Sequence, residues 1–75
     1  MTNFELAWNP NTPSSTLESL SIDEHEDVRR GVARNPNTPV PTLETMSTDE
    51  NWSVRSAVAE NPSFGGNHLS LPKSK

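Results

Sequence analysis

The chain has no cysteine and no tyrosine, and only two phenylalanines and two tryptophans in 75 residues. Without cysteine there can be no disulfide, no thiolate metal site and no cysteine nucleophile. A secreted domain of this size normally needs disulfide staples, so a reducing, cytoplasmic location is expected. Apolar residues make up 29% of the chain, a low share for a globular domain. No apolar run approaches the ~20 residues that span a bilayer. Residues 1–10 lack a basic stretch followed by an apolar one, so no signal peptide is expected.

Cations are also scarce. They are Arg29, Arg30, Arg34, Arg55, Lys73 and Lys75. Ten acids against four arginines leave the body before the two lysines at −6. Such a body repels nucleic-acid phosphates overall. The length allows a single domain with a small core.

What is present is a repeat. Asn-Pro recurs at Asn9-Pro10, Asn35-Pro36 and Asn61-Pro62, and Thr-Pro at Thr12-Pro13 and Thr38-Pro39. Thr16-Leu17-Glu18 returns as Thr42-Leu43-Glu44, and Val28-Arg29 as Val54-Arg55. Every spacing is 26 residues, and aligning 7–32 with 33–58 gives 15 identities. A period of this length marks a solenoid-type array.

Within one unit, Asn-Pro-Asn is a turn, because a residue before proline is pushed out of the α region. Thr12 is expected to cap a short helix with Pro13 at its first position. Leu17 and Leu20 fall one turn apart on its inner face. Asp23 is expected to cap a second helix whose early acids, Glu24 and Glu26, suit the positive end of its dipole. Val28, Val32 and Ala33 then form its apolar stripe. The next unit repeats this with Leu43, Met46, Asp49, Val54, Val58 and Ala59. The spacing predicts helices over 13–21, 24–34, 39–47 and 50–60, after a short one over 3–8 with Leu6 and Ala7 inward.

The fold class expected is therefore all-α: a short helical-repeat solenoid of about two helix pairs plus an N-terminal half-unit. The repeat domain spans 1–62, with a half-unit at 1–8 and units at 9–34 and 35–60. Residues 63–75, which contain Gly65-Gly66 and Pro72, read as a loose tail.

The pattern Asn-Pro-x-Thr-Pro, then Leu-x-x-Leu/Met, Asp, and Val-Arg-x-x-Val-Ala-x-Asn-Pro resembles the leucine-rich repeat variant family over about residues 4–62. The resemblance implies two stacked helices per repeat, a right-handed solenoid and a binding scaffold. It brings no catalytic residues with it.

The repeat also supplies an internal control. Asp23/Asp49 and Arg29/Arg55 keep their places in both units, which suits an architectural role, with Arg29 reaching Asp49 of the next unit. Places that differ between units are expected to be free for function. These are Trp8/Arg34/Glu60, His25/Asn51, Glu26/Trp52 and Arg30/Ser56. Tryptophan and arginine dominate binding hot spots, so Trp8, His25, Glu26, Arg30, Arg34 and Trp52 are the candidate partner-binding residues.

No metal or cofactor is expected. His25 has acids around it but no second histidine nearby. Ser14, Ser15 and Ser21 have no matching histidine or oxyanion-hole motif, so an enzyme is not expected. Gly65-Gly66 lacks the helix and Gly-Lys-Ser/Thr of a phosphate loop.

The function expected is a small non-catalytic module that binds a larger protein as an inhibitor, adaptor or accessory factor, of a kind phages encode. The exposed apolar ends of a two-unit array point to a partner or to self-association. Two other readings remain open at this level: a nucleic-acid backbone binder using Arg29, Arg30, Arg34 and Arg55, or an acidic nucleic-acid mimic. No membrane partner is expected.

Overall fold

The computed structural model describes residues 1–66. It contains five α-helices and one π-helical turn, with no strand among the described residues: α1 Asn3–Trp8, α2 Ser14–Leu20, α3 Glu26–Arg34, α4 Val40–Met46, α5 Trp52–Glu60 and the turn Pro62–Gly66. Helices α1, α3 and α5 pack side by side as one layer. Helix α2 packs on α1 and α3, and α4 packs on α5. Each unit is thus a short helix followed by a longer one that continues the layer.

The core follows the apolar stripes. Leu17, Leu20, Val28, Val32, Leu43, Met46, Val54 and Val58 are all buried, together with Ala7, Ala33 and Ala57. Leu6 is partly buried against them. Ala59, expected inside, is exposed, and Ala57 takes the inward place on α5. The reason is the direction of stacking: α3 lies between α1 and α5, so Ala33 is covered on a side of its helix that α5 leaves open at Ala59.

The asparagine of each Asn-Pro does more than stop a helix. Asn35 is buried and its Nδ2 donates to Ala7 O at 2.9 Å and Asn9 O at 2.8 Å. Asn61 repeats this one unit on, donating to Ala33 O at 2.8 Å and Asn35 O at 3.0 Å. Their Oδ1 atoms accept the N–H two residues ahead, from Asn37 and Ser63. These bonds satisfy carbonyls at the end of the previous unit's helix, where intrahelical partners run out. No buried side-chain nitrogen or oxygen among the described residues lacks a partner.

Three local expectations are corrected. Pro13 and Pro39 take the cap position, so α2 and α4 begin one residue later than expected. The threonine hydroxyls are engaged elsewhere: Thr12 Oγ1 donates to Leu6 O at 2.6 Å and Thr38 Oγ1 to Val32 O at 2.7 Å. Asp23 and Asp49 are not caps either. Each accepts the N–H two residues on, from His25 at 2.8 Å and Asn51 at 2.9 Å, which closes a tight turn before the helix. Asn51 is then the true cap of α5, accepting from Ser53 N and Val54 N, while His25 at the start of α3 makes no such bond. Finally, helical structure does not end at residue 63. Pro62–Gly66 makes one turn, and Phe64 packs partly buried against the core. The rest of the expected tail, residues 67–75, lies outside the described residues.

Candidate functional site

Trp8 ends α1 and lies across α3. Its Nε1 donates to Asp27 O at 3.3 Å, and its ring sits 6.0 Å from that of Phe4. The approach requires glycine at position 31: a Cβ there would meet Trp8 Cδ1 and Nε1 at 2.6 Å. In the next unit the corresponding residues are Arg34 and Ala57, where no indole needs the space. Trp8 remains 39% exposed.

Three of the other varying residues, Glu26, Arg30 and Arg34, are engaged between units. Glu26, the first residue of α3, accepts a hydrogen bond from Asn51 Nδ2 at 2.5 Å. Arg30 pairs with Asp27 Oδ1 at 2.8 Å and reaches Ser53 Oγ of α5 at 3.4 Å. Arg34, at the end of α3, forms an ion pair with Glu60 at the end of α5. His25 is exposed, with Nδ1 3.1 Å from Asp23 Oδ1. Variation between units therefore does not free a residue from structure, because neighbouring units vary in matched pairs.

Trp52 differs. It is the first residue of α5 and 70% exposed, and its side chain makes no hydrogen bond or ring contact among the described residues. It lies beside Asn51 and Ser53, which hold Glu26 and Arg30, so α3 and α5 bring those four side chains into one region. Trp8 approaches the same strip from α1 through Asp27. Arg34 lies at the far end of α3, and His25 on the turn before it. Phe4, exposed beside Trp8, belongs to this surface as well. Its only signal in the sequence is its place four residues before Trp8 on a helix.

The fixed pair Arg29/Asp49 is architectural, as its recurrence suggests. Arg29 Nε and Nη2 fork onto Asp49 at 2.8 and 3.3 Å, and Nη1 donates to Asp23 O at 2.8 Å. Both side chains are nearly enclosed. Asp23 holds the same place one unit earlier, with Asn3 and His25 as its donors and no arginine. The backbone N–H of His25, then the Asn3 amide, then the His25 ring, hold its carboxyl below the usual carboxylate range. Among the described residues no group of three or more histidine, cysteine, aspartate or glutamate side chains could hold a metal ion. No described helix is long and apolar enough to cross a membrane.

Paired helices repeating at 26 residues, joined by buried asparagine bonds, define a short α-helical repeat scaffold. Over one repeat length, residues 26–51, the chain is similar to the leucine rich repeat variant family and matches its model. That window runs from the start of α3 through α4 to the cap of α5 and contains Arg29, Asn35, Thr38 and Asp49. The matched family is a helical repeat rather than a catalytic fold. No curated protein and no solved structure matches the chain.

Proposed function

We propose that the chain is a non-catalytic protein-binding module whose contact surface centres on Trp52 and extends over α3 to Trp8 and Phe4. The observation that carries this reading is the exposure of Trp52 at 70% with no internal role, in a chain with only four aromatic residues. A large rigid aromatic gains little by facing water, and such residues anchor interfaces. His25, Glu26, Arg30 and Arg34 supply the polar surround. The same proposal includes action on a larger protein, as an inhibitor, adaptor or accessory factor, and a cytoplasmic setting, which suits a cysteine-free domain. The nucleic-acid reading loses ground because Arg29, Arg30 and Arg34 are each already bonded to a carboxylate.

The test is cross-linking and affinity capture from the native source with wild type, Trp52→Ala and Arg34→Glu, combined with sedimentation of the free chain. The expected result is one captured protein, lost with Trp52→Ala while the circular dichroism spectrum is unchanged. Equal capture by wild type and both variants refutes this surface.

A further inference from the structure

The two junctions between units treat the same aspartate differently. At the second junction Asp49, whose side chain is 11% exposed, receives the guanidinium fork of Arg29. At the first junction Asp23, 14% exposed, is enclosed almost as fully. There the residue equivalent to Arg29 is Asn3, which offers one neutral N–H to Asp23 Oδ2 at 3.1 Å. The residue equivalent to Arg30 is Phe4. The chain thus builds the aspartate seat twice and fills it with an arginine of its own only once.

The space is present. A groove of about 650 Å³ lies between α1 and the start of α3, and Asn3, Phe4, Asp23, Glu24, His25 and Asp27 line it. His25 Nδ1 lies 3.1 Å from Asp23 Oδ1, and Asp27 is paired with Arg30, which leaves Asp23 Oδ2 with the Asn3 amide alone. Glu24 adds an exposed carboxylate with no hydrogen bond among the described residues. Phe4, 48% exposed, supplies an aromatic wall. A guanidinium is flat, forks onto carboxylates and stacks on aromatic faces. Its charge-assisted bond to Asp23 is roughly twice as strong as the neutral amide contact it displaces.

We infer that this groove receives an arginine side chain of the partner protein, seated on Asp23 as Arg29 is seated on Asp49. The inference rests on the reading of the chain as a protein-binding module, and it names the chemistry of one contact. The occupant follows from the chain itself, since the equivalent seat one repeat later holds a guanidinium.

The experiment is an NMR titration of the full chain with the blocked peptide acetyl-Gly-Arg-Gly-amide and its citrulline counterpart, which keeps the shape and loses the charge. The arginine peptide is expected to shift the amide signals of Phe4, Glu24 and Asp27, and the citrulline peptide is not. Asn3→Arg places the chain's own arginine in the seat. It is expected to weaken peptide binding by about tenfold or more and to raise the thermal midpoint. Glu24→Gln, which disturbs no internal bond, is expected to weaken binding without changing the midpoint. Absence of shifts up to millimolar arginine peptide overturns the inference. So does equal response to citrulline, or unchanged affinity in both variants. Failure here with Trp52-dependent capture intact removes the groove alone. Loss of Trp52 dependence with the peptide still seated removes the wider surface and leaves the groove.

Discussion

Gly31→Ala sets two known effects against each other. In the middle of a helix this substitution normally stabilises by about 1 kcal/mol, because alanine loses less backbone entropy than glycine. Here the new methyl would lie 2.6 Å from two atoms of the Trp8 ring and 2.9 Å from Ala7 Cβ. The ring must swing away or α1 must lift from α3. Overpacking of this kind costs about 1–3 kcal/mol. Swinging away also forfeits the buried part of Trp8, roughly 100–150 Å² of a side chain 39% exposed, worth at most about 2.5–4 kcal/mol. The clash wins, and a net loss of about 1–2 kcal/mol is expected, a fall in Tm of several degrees for a domain this small. Trp8→Ala should remove most of the conflict, so in that background Gly31→Ala becomes neutral or stabilising. Urea denaturation of the four proteins in a double-mutant cycle measures the coupling. A stabilising Gly31→Ala in the wild-type background, or the same cost in both, would falsify the account of this junction.

Asn35→Ala strands the carbonyls of Ala7 and Asn9 and the N–H of Asn37; at about 1–3 kcal/mol for a buried group left unpaired, a total of about 2–4 kcal/mol is expected by urea denaturation. Asn9→Ala, which loses only the bond from Asn11 N, is the control and should cost under about 1 kcal/mol. Leu43→Ala, at a fully buried site, should cost about 2–5 kcal/mol, and a loss within error would place residue 43 outside the core. Asp23 has a folded pKa lowered from 3.8, so its contribution is present above that value and is lost as the pH falls through the lower, folded value. Denaturation midpoints across the acid range should therefore fall less steeply for Asp23→Asn than for wild type, and equal slopes would contradict the assignment.

Much of the fold was legible because the sequence states it twice. The inner positions, from Leu17 to Val58, carry the helical period and are buried. The Arg29–Asp49 contact was legible too, since both residues keep their places in each unit. Element starts were less legible. Threonine and aspartate are good caps in general, but a hydroxyl or carboxylate can satisfy several backbone groups, and only packing decides which. Thr12 turns back to Leu6 O, and Asp23 turns forward to His25 N. The burial of Asn35 was hidden because its role depends on carbonyls 26 and 28 residues away. The candidate surface was legible in its tryptophans and obscured in its charges. Arg34 varies between units, yet its partner Glu60 varies with it, and such matched change looks like freedom in a single sequence.

The two junctions show which part of the repeat can change. Both use the same asparagine clip onto the previous helix end, with closely similar lengths. Their outer edges differ completely: an indole over glycine at the first, an ion pair beside alanine at the second. The clip is buried in three of its four bonds and part-buried in the fourth, so a change there leaves carbonyls short of a partner and costs stability. The outer edge faces solvent, where an exposed ion pair contributes little and an aromatic can be replaced without leaving a buried polar group unpaired. The 26-residue step is therefore set by the clip, and the outer edge is left to vary in chemistry. Trp52 lies on that variable edge, which is where a scaffold this small can acquire a binding surface without losing its fold.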